Sequence, residues 1–102
     1  MPQENKINLS IIIPVFNEEK YLNQLFFDLE KYFNQEDIEI IVVNDGSNDD
    51  SYKILEKLKI NSYKFKYNLV NLSKNFGKGY AVKQGATVSS GKYILLQDAD
   101  LE

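Results

Sequence analysis

The sequence predicts an α/β fold with three layers, in which helices cover both faces of a mainly parallel sheet of about four strands. Short apolar runs rich in β-branched residues alternate with longer segments whose apolar residues recur at helical spacing. This alternation gives the order β-α-β-α-β-α-β, with short connections and with no internal repeat or linker. Such an order favours parallel strands that are joined by right-handed crossovers.

The first strand and the first helix are predicted from the beginning of the chain. Residues 9–13 form a β-branched run that is typical of a strand buried on both faces. Pro14 is expected to end this strand because proline has no N–H for the ladder. Asn17 is expected to cap a helix that opens with Glu18 and Glu19. The buried stripe of that helix is predicted to consist of Leu22, Leu25, Phe26, Leu29 and Phe33.

The second strand and the second helix are predicted from residues 38–58. Residues 38–43 are apolar enough for a buried strand, and a turn follows at once, in which Gly46 permits a tight backbone. Ser47 or Asp49 is expected to cap the helix that follows. The apolar side of that helix is predicted to consist of Ile54, Leu55 and Leu58.

The second half of the chain predicts one further strand–helix pair and a last strand. A weaker third strand is expected at about residues 67–72, and a glycine-bearing loop follows it at residues 73–79. The third helix is expected at about residues 80–89, and Gly91 is expected to end it. The small residues that would let this helix approach the sheet closely are Ala81, Gly85 and Ala86.

Unusual polar segments follow all four predicted strands. They are residues 14–18, 44–47, 73–78 and 98–100. Ligands of open parallel sheets bind at the carboxyl ends of the strands, near the point where the strand order reverses. We therefore expect the four segments to meet in space around a small-molecule site.

Two carboxylates separated by one small residue follow the last strand. Where a chain is extended, residues i and i+2 point to the same side, so Asp98 and Asp100 can direct their oxygens at one point. This arrangement suits a hard cation such as Mg²⁺ or Mn²⁺, which prefers carboxylate and phosphate oxygens. The simpler alternative is that two acids close a strand in a solvated turn.

The acidic residues of these segments indicate which ligand could bind. Glu18, Asp45, Asp98 and Asp100 would repel a bare phosphate, but they would accept a metal that carries phosphate oxygens and hydrogen bonds from a ribose or a base. A nucleoside diphosphate with a divalent metal meets both conditions. Lys78, at the start of a helix, could place a cation near the diphosphate.

Each of three residues has a plainer alternative role. Lys78 could be a solvated loop lysine, Asp45 could be a capping or turn aspartate, and Glu18 could complement a helix dipole. The sequence alone leaves these alternatives open.

Composition excludes several kinds of chemistry. The chain has no cysteine and no histidine, which excludes disulfides, thiolate nucleophiles, imidazole-ligated zinc and a Ser-His-Asp triad. Gly77 and Gly79 follow the third strand and match neither the dinucleotide fingerprint nor a P-loop, which argues against NAD and ATP hydrolysis. The net charge of −3 combines an acidic first half with a lysine-rich second half. Nucleic-acid binding is not expected, because arginine is absent and the lysines are scattered.

The location expected from the sequence is cytoplasmic. No segment approaches the roughly 20 consecutive apolar residues of a membrane span. Residues 1–6 lack the apolar stretch of a signal peptide.

Four segments resemble the successive signatures of family 2 glycosyltransferases. They are Ile13-Pro14-Val15-Phe16-Asn17-Glu18, Val42-Val43-Asn44-Asp45-Gly46-Ser47, Asn75-Phe76-Gly77-Lys78-Gly79 and Gln97-Asp98-Ala99-Asp100-Leu101-Glu102. The resemblance covers about residues 8–102 and is closest to dolichyl- or polyprenyl-phosphate hexose transferases. It implies a Rossmann-like GT-A fold with the strand order 3-2-1-4.

The resemblance also implies roles for individual residues. Pro14, Phe16 and Glu18 would line the nucleoside pocket. Val43 and Asp45 would contact the base, with Asp45 accepting from a base N–H. Asp98 and Asp100 would bind Mg²⁺ or Mn²⁺ as the D-x-D motif around Ala99. The residues expected to bind the nucleotide sugar are therefore Pro14, Phe16, Glu18, Val43, Asp45, Lys78, Asp98, Ala99 and Asp100.

Two of the matched positions depart from the family pattern. Asn44 stands where the family frequently has aspartate, and the matched base-binding acid is still present at Asp45. Phe16 stands where tyrosine is common, which removes a hydroxyl and keeps an aromatic face for stacking. Little consequence is expected from either departure.

The domain organisation expected from the resemblance is a tail at residues 1–7 and a donor-binding subdomain at residues 8–102. Its donor would be a UDP- or GDP-hexose, and transfer would invert the configuration of the sugar. The chain ends two residues after Asp100, whereas family members continue with a half that binds a lipid-phosphate or saccharide acceptor and often supplies a general base.

No catalytic residue is therefore assigned, since Asp98 and Asp100 would act through the metal. The chain alone is expected to bind a nucleotide sugar without turning it over. A non-catalytic nucleotide-binding or assembly domain is the alternative.

Two further expectations concern assembly and location. With the order 3-2-1-4 the last strand is an apolar edge, which favours a homo-oligomer that pairs through residues 93–96. The full-length protein is expected at the cytoplasmic face of the membrane.

Overall fold

A computed structural model describes residues 6–100 of the chain. Residues 1–5 of the expected tail, and Leu101 and Glu102 of the fourth matched segment, lie outside the described residues. The predicted alternation of strands and helices is confirmed. The elements are β1 (Leu9–Val15), α1 (Leu22–Tyr32), β2 (Ile38–Asp45), α2 (Ser51–Leu58), β3 (Lys66–Leu72), α3 (Lys78–Val88) and β4 (Tyr93–Leu96).

The four strands form one parallel sheet in the order β3-β2-β1-β4, as expected. β1 lies in the middle and pairs with β2 on one side and with β4 on the other. The chain therefore builds the sheet outward from β1 to β3 and then returns to the opposite side of β1. The strand order reverses between β1 and β4, and their carboxyl ends flank that point.

Alternate residues of the central strands face two separate cores. Ile11, Ile13 and Val15 of β1 belong to the core under α1 and α2, together with the buried stripe of α1. Ile12 belongs to the core on the other face, under α3. The three-layer arrangement predicted from the sequence follows from this alternation, because residues i and i+1 of a strand point to opposite faces.

α3 packs closely on the sheet through two small residues. Ala81 and Gly85 are buried, and a Cβ at Gly85 would lie only 2.7 Å from Cγ2 of Ile12. The expectation for Ala86 was wrong, because this residue is exposed. One step along a helix turns a side chain by about 100°, which carries Ala86 away from the face that Gly85 presents.

Pro14 does not end β1, contrary to expectation, since the strand continues to Val15. The carbonyl of Ile12 accepts a hydrogen bond from Gln97 N. The backbone N–H and C=O groups of Ile12, and of every second residue counted from it, therefore point towards β4. Pro14 is the next of these residues, and pairing with β4 has already ended at Ile12. The missing N–H of proline therefore removes no ladder bond.

Asn17 does not cap α1, which begins at Leu22 without a side-chain cap. Asn17 has a positive φ of 54°, and its Oδ1 accepts hydrogen bonds from the N–H groups of Asn48 at 2.7 Å and Asp49 at 3.3 Å. Its own N–H donates to Ser47 Oγ at 3.0 Å. The side chain thus joins the connection after β1 to the connection after β2, in place of a local cap.

The capping expected for α2 is only partly present. Ser47 does not cap the helix and instead donates its hydroxyl to Asn44 Oδ1 at 2.6 Å. Asp49 accepts a hydrogen bond from the N–H of Ser51, the first helical residue, at 2.9 Å. The residue at the N-cap position itself is Asp50, which makes no side-chain cap bond. Asp49 therefore satisfies one of the N–H groups that a helix leaves open at its start.

A buried carboxylate near the amino end of β2 connects several elements. Glu39 is 1% exposed, and its oxygens accept from Ser10 Oγ at 2.7 Å, Asn68 Nδ2 at 2.9 Å and Ser90 N at 3.0 Å. The Lys66 ammonium lies 3.8 Å away. The acid thus joins β1, β3 and the connection between α3 and β4.

β4 forms one edge of the sheet, and all four of its side chains are exposed by between 41% and 59%. No other strand within residues 6–100 pairs with its outer edge. A homo-oligomer through this edge stays a prediction. Over the same part of the chain, no helix combines the length and the hydrophobicity needed to cross a membrane.

Candidate active site at the carboxyl edge of the sheet

A cleft of about 380 Å³ opens where the strands end, between the segments that follow β1 and β4. This is the point at which the strand order reverses, as the sequence predicted. Its volume falls in the range of small-molecule sites, roughly 300–1,000 Å³. The lining residues are Pro14, Val15, Phe16, Glu18, Asp45, Asn75, Lys78, Asp98, Ala99 and Asp100.

The cleft brings together all but one of the residues expected to bind a nucleotide sugar. The exception is Val43, which is fully buried and packs with Ile12 and Ala81 in the core under α3. Val43 and Asp45 point to the same face of the sheet, but Val43 lies two residues before the end of β2 and is covered by α3, whereas Asp45 is the last residue of the strand.

Two residues line the cleft that the sequence did not single out. Asn75 lies in the loop between β3 and α3, and Val15 is the last residue of β1. The signal for Asn75 was present, because its loop follows a strand at the same edge as the other candidates. Val15 is buried and apolar, so nothing in its residue type distinguished it from the core.

The segment after β1 supplies an aromatic side chain and an acid. Phe16 is 42% exposed, so part of its ring is accessible at the cleft. The N–H of Glu18 donates to Ser51 Oγ at 3.0 Å, which fixes this backbone against the start of α2. A planar aromatic face beside a hydrogen-bond acceptor can bind a nucleoside, by stacking on the base and by accepting from a hydroxyl.

The electrostatics of the cleft favour a cation. Burial raises the pKa of Glu18, and the negative charges of Asp100, Asp49 and Asp98 raise it further. A raised pKa means that the ionised form of Glu18 is held at an electrostatic disadvantage. A divalent metal would relieve this repulsion.

Asp45 organises the loop before α3. Its carboxylate is 3% exposed and accepts hydrogen bonds from Phe76 N at 2.8 Å, Gly77 N at 3.0 Å and Asn75 Nδ2 at 3.1 Å. A carboxylate has about four acceptor positions, so about one remains for a ligand. Asp45 therefore organises a loop, but this is the loop after β3 and not the turn that follows Asp45 in the chain.

The turn at Gly46 packs directly on the same loop. Gly46 has a φ of 66°, and a Cβ at this position would collide with the backbone of Lys74 and Asn75. Only glycine combines this conformation with so close an approach. The connections after β2 and β3 are thus fastened together by backbone contact as well as by Asp45.

We predict that Asp45→Asn destabilises this loop. An amide nitrogen would replace one acceptor oxygen and face donors with another donor, so at least one hydrogen bond is lost. The expected loss in the free energy of unfolding, measured with urea, is roughly 1–3 kcal/mol. Asp50→Asn is the control, because Asp50 is exposed and makes no cap bond, and its effect should stay within about 0.5 kcal/mol. Equal stability of the two variants would contradict the role of Asp45.

The segment after β4 presents the acid pair to the cleft. Asp98 and Asp100 both line it, while Ala99 between them is 3% exposed and belongs to the core under α1. Lys78 Nζ lies 2.7 Å from Asp98 Oδ1. This hydrogen bond, and then the charge of Asp98, raise the pKa of the Lys78 ammonium.

The acids of the cleft do not form a metal cage by themselves. Within residues 6–100, no group of three or more His, Cys, Asp or Glu side chains is arranged to hold a metal ion. Two carboxylates supplemented by water and substrate phosphate oxygens are, however, an ordinary environment for Mg²⁺. The donor set of Asp98 and Asp100 therefore fits a metal whose coordination is completed by a diphosphate.

An open parallel sheet with an acidic cleft at its switch point defines a Rossmann-like α/β domain, a class in which ligands commonly bind at that point. Residues 10–102 match the family described as Glycosyl transferase family 2, and the chain belongs to this family.

Relatives by sequence include enzymes that glycosylate dolichyl phosphate. The dolichyl-phosphate beta-glucosyltransferase of Dictyostelium discoideum is 36% identical over 103 residues, which cover 94% of this chain and 32% of the relative. The Homo sapiens protein of the same name is 35% identical over 99 residues, which cover 90% of this chain and 31% of the relative. An uncharacterized glycosyltransferase of Synechocystis is 42% identical over 98 residues, covering 94% and 30%. The chain thus spans about a third of the length of these relatives.

Similar solved structures confirm the GT-A fold. S. aureus TarS 1-349 in complex with UDP-GlcNAc gives a TM-score of 0.81 at 30% identity, covering 92% of this chain and 27% of that one. The mannosyltransferase PcManGT from Pyrobaculum calidifontis, in complex with GDP-Man and Mn²⁺, gives a TM-score of 0.84 at 20% identity, covering 93% of this chain and 28% of that one. The second likeness concerns the fold alone.

Proposed function

We propose that residues 8–102 form the donor-binding subdomain of a glycosyltransferase, preceded by a tail at residues 1–7. The subdomain binds a nucleoside-diphosphate hexose together with Mg²⁺ or Mn²⁺. The observation that carries this proposal is the position of Asp98 and Asp100, which line one cleft with Phe16 and Glu18 at the switch point of the sheet. Membership of the family supports it.

Different residues of the cleft contact different parts of the ligand. Pro14 and Phe16 offer apolar and aromatic surface to the base, and the remaining acceptor position of Asp45 takes a base N–H. Glu18 accepts from a ribose hydroxyl. Asp98 and Asp100 would hold the metal, whose positive charge would stabilise the departing nucleoside diphosphate.

Lys78 adds a positive charge beside the diphosphate. Val43, buried under α3, supports the end of β2 and takes no direct part through its side chain.

The reaction we propose inverts the configuration at the sugar. An acceptor oxygen attacks C1 of the hexose from the side opposite the diphosphate, so the new glycosidic bond forms as the C1–oxygen bond to the diphosphate breaks. The acceptor would be a dolichyl or polyprenyl phosphate, by analogy with the dolichyl-phosphate beta-glucosyltransferases to which the chain is similar. Such an acceptor is already anionic, so a strong general base matters less.

We further propose that these 102 residues bind the donor without transferring the sugar. They span about a third of the length of the relatives they match. The acceptor site and any general base would be supplied by further residues, as in family members that continue beyond the matched region.

Calorimetric titration of the chain with UDP and with GDP, each with and without Mn²⁺, tests the proposal. We expect one nucleotide to bind, and to bind more tightly when Mn²⁺ is present, because Asp98 and Asp100 would hold a cation whose charge attracts the diphosphate. ADP, which carries the same diphosphate on another base, is the control for base recognition. Absence of binding to both UDP and GDP, or affinities that do not change with Mn²⁺, would contradict it.

A further inference from the structure

The ion pair between Lys78 and Asp98 lies inside the proposed site. Lys78 is the first residue of α3, and Asp98 follows β4, so the pair crosses the cleft between two elements that are far apart in the chain. Of the described side chains that line the cleft, Lys78 alone is cationic. The acids that line the same cleft are Glu18, Asp45, Asp98 and Asp100.

The backbone that carries Lys78 is held in place. Asp45 binds the N–H groups of Phe76 and Gly77, the two residues before α3. Gly77 has a φ of 104°, which turns the chain into the helix. The position of the lysine Cα is therefore fixed, while its four-carbon stem is free to rotate because 65% of the side chain is exposed.

We propose that Lys78 is an exchangeable counter-ion of Asp98. In the absence of ligand, the Lys78 ammonium pairs with an Asp98 oxygen that would otherwise bind the metal, and it moves to the diphosphate when metal and nucleotide bind. This inference rests on the proposed function. It assigns Lys78 a second role, opposed to metal binding, in addition to its contact with the diphosphate.

Competition follows from the geometry of the pair. The ammonium is 2.7 Å from Asp98 Oδ1, so a divalent cation bound to that oxygen would lie within a few ångströms of a second positive charge. Repulsion at such a separation requires the lysine to move before the metal can bind fully. The pair is weak enough to exchange, because both side chains are substantially exposed and exposed ion pairs contribute little.

The nucleotide removes this obstacle. A diphosphate brings anionic oxygens within reach of the lysine, so the ammonium exchanges one anionic partner for another as Asp98 turns to the metal. Nucleotide binding should then strengthen metal binding, and by thermodynamic reciprocity the metal should strengthen nucleotide binding by the same factor. The pair thereby discourages the site from filling with metal alone.

The test measures Mn²⁺ affinity in the absence of nucleotide, from the electron paramagnetic resonance signal of free Mn²⁺. Lys78→Met is expected to bind Mn²⁺ roughly 2- to 5-fold more tightly than the wild-type chain, which is the scale of one exposed ion pair. In the presence of Mn²⁺, the same variant should bind its nucleotide less tightly. The factor by which each of the two ligands raises the affinity for the other should be smaller in this variant than in the wild type.

Two control variants separate competition from simple charge. Lys83→Met removes the same charge from an exposed position of α3 outside the cleft, and its Mn²⁺ affinity should equal that of the wild type. Lys78→Arg keeps the charge and can pair with Asp98 through two parallel hydrogen bonds. Its Mn²⁺ affinity should be at or below that of the wild type.

A Lys78→Met chain that is folded and binds Mn²⁺ no better than the wild type would overturn the inference. So would an equal gain in the Lys83→Met chain, because the effect would then be long-range charge. The ¹⁵N signal of the Lys78 ammonium gives an independent readout, since it should shift on titration with Mg²⁺ and stay unchanged if the pair persists. Failure of the proposed function is distinguishable, because the wild-type chain would then bind neither UDP nor GDP at any metal concentration.

Discussion

Asp98→Asn/Asp100→Asn is expected to abolish the metal-dependent part of nucleotide binding. Both acids line the cleft on either side of the buried Ala99, and amide groups are much poorer ligands for a hard dication than carboxylates. Calorimetry should therefore give the same nucleotide affinity with and without Mn²⁺ in this variant. Contacts of the nucleoside with Phe16 and Glu18 do not depend on the metal, so some residual binding is expected.

Glu30→Gln/Glu36→Gln is the matched control for this variant. It also removes two negative charges, but from exposed positions that do not line the cleft. Its metal-dependent nucleotide binding should equal that of the wild type. If the double aspartate variant kept a response to Mn²⁺, the metal would bind elsewhere and the assignment of the acid pair would be wrong.

The largest effect on stability is expected from Glu39→Ala. The substitution leaves the Ser10 hydroxyl, the Asn68 amide and the Ser90 N–H without the acceptor that they share, and it opens a cavity beside β2. Each buried donor that is left without a partner costs roughly 1–3 kcal/mol, so the loss of the shared acceptor should cost at least about 3 kcal/mol in total. Since domains of this size are stable by about 5–15 kcal/mol, urea denaturation should show a large shift of the midpoint, or a chain that is unfolded at the outset.

Two milder variants at the same place calibrate this result. Glu39→Gln keeps the shape and one acceptor oxygen, so its effect should fall between those of the wild type and Glu39→Ala. Lys66→Met removes only the ammonium at 3.8 Å, whose side chain is 50% exposed, and should cost at most about 1 kcal/mol. A Glu39→Ala chain as stable as Lys66→Met would mean that the buried hydrogen bonds contribute little.

The fold was predictable from the sequence because its determinants are periodic. The β-branched run of β1 and the stripe of Leu22, Leu25 and Leu29 each follow from residues that are neighbours in the chain. The meeting of the acidic segments was predictable for a topological reason. Strands that are all parallel end at one edge, so residues that follow strands must collect there.

Individual hydrogen bonds of the site were not predictable, because their partners are distant in sequence. Asn17 has the residue type of a helix cap, yet its acceptor oxygen serves Asn48 and Asp49 on another connection. Asp45 likewise binds the loop at Phe76 and Gly77. A local signal such as "polar residue before a helix" is identical in both cases, and only the assembled fold decides between them.

The two acids at opposite ends of β2 have a joint consequence for α3. Asp45 holds the N–H of Gly77 before the helix, and Glu39 holds the N–H of Ser90 after it. From Glu39 to Asp45 the strand advances six residues, or roughly 20 Å. The 11 residues of α3 advance about 16 Å, and the short segments at its ends supply the remainder. The length of β2 between these two acids therefore constrains the length of α3. A residue inserted into or deleted from the helix would move one of the two N–H groups away from its carboxylate.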